Sequence, residues 1–122
     1  MYMGVRAIRG ATTLDADTKE SMTEAVCQLL LEIFEANQIS HDDLISLIFT
    51  STPDLVSTFP ATAARTLNLG DVPLICAVEV SVPDALKKTV RVMVHAQSEK
   101  TLAQIKHVYK RGAVVLRQDL AQ

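Results

Sequence analysis

Five arginines are the residues whose type and placement first indicate chemistry: Arg6, Arg9, Arg65, Arg91 and Arg117. All of them lie in or beside segments that we expect to be ordered. The guanidinium group is planar, always charged and offers paired N–H donors, so a cluster of arginines suits a small dicarboxylate better than a lysine would. For any one of these arginines alone, an ion pair on the protein surface is the commoner role. Their chemistry therefore depends on a fold that gathers several of them.

Four further side chains have a functional and an ordinary interpretation. Glu79 is the only charge in its predicted strand, where it could accept a hydrogen bond from a ligand hydroxyl or simply face solvent. Tyr109 could give its hydroxyl to a ligand or end a strand, and Phe59 could wall a pocket or pack ahead of a helix that begins at Pro60. Cys76 has no activating base nearby in sequence, which favours a small buried residue over a nucleophile.

Histidines and cysteines do not form a metal-binding pattern. His41, His95 and His107 are spread along the chain, and no HxxxH or HExxH spacing brings two of them together on one helix. Cys27 and Cys76 are not in a CxxC pair. We therefore expect no metal site.

The composition is that of one compact domain, which we expect to span residues 1–122. The chain is 48% hydrophobic and 21% charged with a net charge of −2, and no apolar run approaches the roughly 20 residues of a membrane span. Two tyrosines, three phenylalanines and no tryptophan argue against a nucleic-acid groove with stacking platforms. The composition therefore predicts a protein that binds neither membranes nor nucleic acid. The amino terminus lacks the order of a signal peptide, so we also expect the protein to be cytoplasmic.

These residues must be positioned by a mixture of strands and helices. Helical periodicity after possible N-cap residues at 15–18 predicts a long amphipathic helix ending near Asn37. Proline at a first helical position predicts a short helix at 61–67. Apolar or alternating runs predict strands at 5–13, 44–51 (covered on both faces), 74–80 and 89–97, and a last extended region at 107–109 and 113–117. This order predicts an α+β fold, a mixed sheet with its helices on one face.

The predicted strand 89–97 has an unusual second face. Val90, Val92 and Val94 form an apolar face, while the other face consists of Thr89, Arg91, Met93, His95 and Gln97. Such a mixture is less typical of a solvated surface than of a subunit contact or a wet pocket. It makes Arg91 the first functional candidate, although an outward-facing arginine on a half-exposed strand remains the ordinary alternative. A small domain with such a face can bury it by symmetric self-association, so we expect an oligomer.

Five stretches of the sequence resemble the monofunctional chorismate mutases of the AroH class, in order and spacing along almost the whole chain. They are R-x-I-R-G-A-T-T at 6–13, T-P-D-L at 52–55 with F-P-A at 59–61 and Arg65, V-P-x-x-C-x-x-E at 72–79, L-K-K-x-x-R-V-M at 86–93, and H-V-Y with V-V-L-R at 107–117. Thr62 and Gln118 depart from the family pattern, where a lysine and a proline are common.

The resemblance implies a homotrimer in which the sheets pack into a pseudo-α/β-barrel, with active sites between subunits. The implied reaction is the pericyclic rearrangement of chorismate to prephenate, in phenylalanine and tyrosine biosynthesis. Such a unimolecular reaction requires no covalent intermediate, metal or other cofactor. The alternative is a non-catalytic trimeric module that binds a small anionic metabolite; a trimeric imine-processing protein would share only the architecture.

The resemblance also implies a role for individual residues. Arg91 would lie by the ether oxygen, Arg9 would hold the enolpyruvyl carboxylate, and Glu79 would bind the ring hydroxyl. The implied substrate-binding residues are Tyr109, Cys76, Phe59, Ala61, Arg65, Leu116 and Arg117.

One geometric difficulty accompanies these roles. Cys76 and Glu79 are three residues apart, so a regular strand points them to opposite faces. Either Cys76 contributes its backbone, a bulge intervenes, or the two residues serve different sites across an interface.

Overall fold

The computed structural model describes residues 4–121, and the side chains of residues 118–121 are outside the description. The predicted domain therefore extends beyond the described part at residues 1–3 and 122. Five strands and two α-helices are present: β1 (Gly4–Thr13), α1 (Lys19–Ala36), β2 (Leu44–Ser51), α2 (Pro60–Arg65), β3 (Leu74–Val78), β4 (Thr89–Ser98) and β5 (Val108–Tyr109). Three 3₁₀ segments cover His41–Asp43, Leu102–Gln104 and Arg111–Ala121. None of the described helices is both long and apolar enough to cross a membrane.

The strands form one mixed sheet in the order β3-β2-β4-β1-β5. Strand β4 lies between β1 and β2 and is antiparallel to both, whereas β3 and β5 add parallel edges to β2 and β1. In this register Arg91 lies opposite Ala11 on one side and Thr50 on the other. The predicted α+β class with a mixed sheet is confirmed.

Both helices pack on the same face of the sheet, as predicted. Thr18 caps α1 by accepting a hydrogen bond from the Ser21 N–H, and Pro60 begins α2. The apolar stripe of α1 packs against inward-facing side chains of β1, β2 and β4; fully buried examples are Ile8, Leu29, Leu47, Phe49 and Val94. This burial supplies the main stabilisation of the fold.

Gly10 lets α1 approach β1 closely. A Cβ atom at Gly10 would lie 2.6 Å from Ile33 Cδ1 and 3.2 Å from both Leu29 Cδ1 and Val92 Cγ1. Because the interior is close-packed, a larger residue would force the Ile33 side chain, or the helix that carries it, to shift. Gly10 therefore helps to set the position of its neighbour Arg9.

The opposite face of the sheet carries no helix in the described part of the chain. Along β2, Leu47 and Phe49 are fully buried, whereas Ile45 and Ile48 are 38% and 37% exposed. The prediction that this strand is covered on both faces is therefore wrong within one chain, because both helices pack on the other side. The open face contains the mixed side chains predicted for β4.

The prediction of an extended segment at 113–117 is wrong. The chain leaves the sheet after β5, which pairs with β1 only at Gly10 and Ala11. Arg111 then adopts a left-handed conformation (φ 53°), and the Gly112 N–H donates to Thr13 Oγ1. The residues that follow form the 3₁₀ segment. Their apolar composition favoured a strand, but after the turn at Arg111 they coil beside the end of β1 instead of pairing with it.

Candidate active site

An open cleft of about 520 Å³ lies on the helix-free face of the sheet. Strands β4 and β1 form its floor, and β2 and β5 contribute its sides. Its lining residues are Arg9, Gly10, Ala11, Ile48, Thr50, Arg91, Val92, Met93, His95 and Tyr109. The fold therefore brings together three predicted site residues, Arg9, Arg91 and Tyr109, from three different strands.

Arg91 is paired with Glu79, the fourth predicted residue of this group. Its Nε lies 3.3 Å from Glu79 Oε2, and the Thr50 hydroxyl donates to the same oxygen at 2.6 Å. The Glu79 N–H donates to the Ser51 carbonyl, which continues the pairing of β3 with β2 past Val78. The side chains of Arg91 and Glu79 are 46% and 20% exposed. The carboxylate thus fixes one edge of a guanidinium that still faces the cleft.

Arg9 is exposed, and its backbone is fixed by a histidine. The Arg9 N–H donates to His107 Nδ1 at 2.9 Å. Burial, together with the nearby charge of Arg9, lowers the pKa of His107 below its usual value. Because Nδ1 can accept a hydrogen bond only when it is unprotonated, the lowered pKa favours the form that makes this contact.

Tyr109 lies on β5, which flanks β1 on the side away from β4. It pairs with Ala11 of β1, and the Lys110 N–H that follows it donates to the Ala11 carbonyl. This short parallel pairing places its half-buried side chain at the edge of the cleft. A phenol at that edge can donate a hydrogen bond to an anion bound between the arginines.

Cys76 and Phe59 lie on the helix-covered side of the sheet, opposite the arginine cleft. Cys76 pairs with Phe49 on the helix-covered face and packs against the core. Together with Phe59, which is 68% exposed, it lines a separate cleft of about 360 Å³. The pairing of β3 with β2 is regular from Leu74 to Val78. The expected opposition of Cys76 and Glu79 is therefore confirmed, and no bulge brings the two side chains together.

The other four predicted substrate-binding residues do not line the arginine cleft in this chain. Ala61 is half-buried against the core at the start of α2, and Arg65 is exposed at its last residue. Leu116 is half-buried and Arg117 is exposed in the 3₁₀ segment. Of the two departures from the family pattern, Thr62 is exposed, and the Gln118 side chain is outside the described part.

Thr50 is the site residue that sequence reasoning missed. It lies opposite Arg91 on β2 and hydrogen-bonds to Glu79. Thr50 is two residues after Ile48, so the sequence indicated that both side chains face the same side of the strand. The strand register that places Thr50 against Arg91 cannot be obtained from periodicity alone.

The arrangement suits a small, flexible dianion. Two guanidinium groups from adjacent strands face one cleft, while Ile48 and Met93 supply apolar surface for a ring. In the described residues, no group of three or more histidine, cysteine or acidic side chains could hold a metal ion. The cleft does contain two arginines and the hydroxyl groups of Thr50 and Tyr109, and the Glu79 carboxylate contacts Arg91 beside it.

Comparison with known proteins shows one family along nearly the whole chain. Residues 5–120 match the family described as "Chorismate mutase type I". The chain is 46% identical over 117 residues to "Chorismate mutase AroH" from Thermus thermophilus, covering 95% of this chain and 96% of that protein. It is 42% identical over 120 residues to "Chorismate mutase AroH" from Bacillus subtilis (strain 168), covering 98% and 94%.

A solved structure shows the same fold. The chain is similar to "Chorismate mutase from Clostridium thermocellum Cth-682" with a TM-score of 0.88 and 44% sequence identity, over 90% of this chain and 98% of that one. The fold and the cleft define an α+β protein with an arginine-lined cleft on an open sheet face. The chain belongs to the type I chorismate mutase family.

Proposed function

We propose that this member of the chorismate mutase family rearranges chorismate to prephenate in the cleft between β1 and β4. Chorismate mutase activity makes the protein an isomerase of aromatic amino acid biosynthesis. The observation that supports the site most directly is Arg91, which Glu79 holds by one edge in the cleft that also contains Arg9 and Tyr109.

The reaction sets two physical tasks for these residues. The substrate must be held in a compact conformation in which the new carbon–carbon bond can form, and negative charge that develops on the ether oxygen must be stabilised as its carbon–oxygen bond breaks. Arg91 places a fixed cation by that oxygen. Because Glu79 and Thr50 already orient the guanidinium, little reorganisation is needed when the charge develops.

Arg9 and Tyr109 hold the flexible part of the substrate. Arg9 binds the enolpyruvyl carboxylate through paired N–H donors, and the Tyr109 hydroxyl assists at the edge of the cleft. Glu79 accepts a hydrogen bond from the ring hydroxyl while it keeps its contact with Arg91. The reaction is concerted and unimolecular, so it requires no nucleophile, proton transfer, metal or other cofactor from the protein.

The site is completed by a neighbouring subunit in a homotrimer. Cys76, Phe59, Ala61 and Arg65 lie apart from Arg91 in one chain, so they can border the same substrate only if they come from another copy. Leu116 and Arg117 do not line the cleft of their own chain either, so they too would border the substrate only in the assembled trimer.

Exposed apolar side chains on the sheet face support this assembly. They are Val5 at 57%, Ile48 at 37% and Ile75 at 62% exposure. Closing the faces of three sheets against one another into a pseudo-α/β-barrel would bury them.

The experiment that tests the function is conversion of chorismate by the purified protein. Loss of chorismate is followed by its ultraviolet absorbance, and prephenate is identified by NMR, with heat-denatured protein as the control. Enzymatic turnover to prephenate supports the proposal. Binding of chorismate without conversion would instead identify a non-catalytic module for an anionic metabolite.

A further inference from the structure

Strand β4 begins at a polar junction formed by two buried threonines, Thr52 and Thr89, and two exposed residues, Asp54 and Lys88. Thr52 and Thr89 are only 7% and 1% exposed. The Thr52 N–H donates to the Thr89 carbonyl at 3.0 Å, and the Thr89 N–H donates to Thr52 Oγ1 at 3.0 Å. These reciprocal bonds connect the chain just after β2 to the first residue of β4.

Asp54 organises this junction with its two carboxylate oxygens. Asp54 Oδ1 accepts a hydrogen bond from the Thr52 hydroxyl, so the Thr52 oxygen is free to accept one from the Thr89 N–H. Asp54 Oδ2 accepts a hydrogen bond from the Lys88 N–H at 2.9 Å. Burial raises the pKa of Asp54, but the hydrogen bonds from Thr52 and Lys88 outweigh this effect, so its pKa is lowered and the group is ionised at neutral pH.

Lys88 is held in an unusual backbone conformation at the same point. Its φ angle is +49°, in the left-handed region, and its carbonyl accepts from the Leu14 N–H at 2.8 Å. A non-glycine residue in such a region is strained and persists only where its surroundings fix it. The Asp54 carboxylate is one of the groups that fix it.

The junction lies next to both members of the Arg91–Glu79 pair. Thr89 is two residues before Arg91 on the same strand, and Ser51, which precedes Thr52, accepts from the Glu79 N–H at 2.9 Å. In the described part of the chain, Asp54 itself makes a hydrogen bond to neither Arg91 nor Glu79. The hydrogen bonds of Asp54 to Thr52 and Lys88 therefore connect it to the pair through the backbone that carries Arg91 and Glu79.

We propose that Asp54 is a positioning residue, which fixes the start of β4 through Thr52 and Lys88 and thereby the placement of the Arg91 guanidinium against Glu79. The inference rests on the proposed function, because it assigns Asp54 to the placement of a group that acts in that reaction. A displacement of the order of 1 Å at a reacting group can cost about 100-fold in rate. The hydrogen bonds of Asp54 to Thr52 and Lys88 are suited to preventing such a displacement.

The test compares Asp54→Ala with Asp43→Ala. Asp43 is a matched control, since its carboxylate also accepts from a backbone N–H and a hydroxyl, those of Ser40 at 2.9 and 3.1 Å, but at the opposite end of β2. We expect Asp54→Ala to lower kcat with chorismate by about 10- to 100-fold with a smaller change in KM. We expect Asp43→Ala to keep kcat within about twofold, although both variants lose one hydrogen-bonded carboxylate.

A double variant separates positioning from general destabilisation. If Asp54 acts through Arg91, adding Asp54→Ala to Arg91→Gln lowers kcat/KM little further, because the placed charge is already absent. Independent, multiplying losses would overturn the inference, as would an unchanged kcat in Asp54→Ala. If Asp54→Ala does not fold by circular dichroism, Asp54→Asn replaces it: lowered kcat supports positioning, and an unchanged kcat overturns it.

The same series distinguishes failure of the inference from failure of the proposed function. A wild-type protein that does not convert chorismate contradicts the function itself. Turnover that is lost in Arg91→Gln but retained in Asp54→Ala and Asp54→Asn contradicts only the role of Asp54.

Discussion

At the scale of single residues, the site depends on a cation that is held but not neutralised. Glu79 contacts Arg91 at one edge, and Thr50 occupies the same carboxylate oxygen, so the remaining donors of the guanidinium face the cleft. A partly exposed ion pair contributes little to folding. Its value is the fixed direction of the Arg91 side chain, which a flexible surface arginine would not have.

Cys76 is expected to be dispensable for the chemistry. It packs partly against the core on the face opposite Arg91, and the reaction requires no nucleophile. Replacement by Ala or Ser should therefore leave kcat within about tenfold of the wild type, because it alters only the packing at the border of the site. Steady-state kinetics with chorismate measures this. Complete loss of turnover in a well-folded Cys76→Ser protein would indicate covalent chemistry.

His107 should make stability depend on pH. Its pKa is lowered in the fold, where the neutral Nδ1 accepts from the Arg9 N–H, so the unfolded chain binds the proton more readily. The contribution is present above the usual histidine pKa near 6.5 and is lost as the pH falls through the lower folded value. Urea denaturation at pH 7.5 and pH 5 should show this loss. His107→Gln, which keeps an acceptor without titrating, should have a smaller difference between the two pH values.

At the scale of elements, the sequence predicts most of the fold but not how its strands align. The 3.6-residue periodicity identified α1, and alternation along β4 separated the valine face from the Arg91 face. Neither signal contains the register, which depends on contacts between distant segments, so Thr50 beside Arg91 was missed. The segment 113–117 was assigned wrongly because its apolar residues resemble a strand, while the turn at Arg111 depends on Thr13, far away in sequence.

The candidate site was predictable to different degrees. Arg91 stood out from its strand face. Arg9, Glu79 and Tyr109 were candidates by residue type alone, and only their roles came from the family resemblance. The fold places all four on one side of the sheet. The spacing of Cys76 and Glu79 predicted their separation correctly. This spacing also indicated that the site could be divided between subunits. It does not identify the surface of the neighbouring subunit, which depends on contacts between chains.

The contact between β1 and α1 makes a prediction about Gly10. Gly10→Ala should destabilise the protein by about 1–3 kcal/mol, because the added methyl group meets Ile33 Cδ1 in a close-packed core. Ile33→Val removes that Cδ1 atom, so the double variant Gly10→Ala with Ile33→Val should lose less stability than the two single losses added together. Thermal unfolding measures all four proteins. Strictly additive losses would contradict a direct contact between these positions.

At the scale of the whole molecule, the open sheet face should close against other copies of the chain. Ile75 is 62% exposed in β3, pairs with Ile48 of the cleft wall, and lies where the proposed trimer excludes water. Ile75→Lys should therefore convert the trimer to monomers and abolish most of the activity, because it places a charge in an apolar contact. Sedimentation velocity measures the mass.

The control for this variant is Leu31→Lys. Leu31 is 51% exposed on the side of α1 that faces away from the core, so its replacement should leave both the assembly and the turnover intact. A wild-type protein that sediments as a fully active monomer would contradict the proposed division of the site between subunits.

The central claim is that the charge of Arg91 stabilises the transition state more than it stabilises bound chorismate. Arg91→Gln keeps a polar group on a shorter side chain and removes the charge, and removal of one preorganised donor costs about 100- to 1,000-fold in kcat. The decisive measurement is therefore kcat and KM for chorismate in Arg91→Gln, with Arg91→Lys beside it. We expect kcat to fall by at least that factor in Arg91→Gln and to recover only partly in Arg91→Lys, which lacks the planar paired donors. A folded Arg91→Gln protein with normal kcat and only a raised KM would show that Arg91 merely binds the substrate, and would contradict the mechanism.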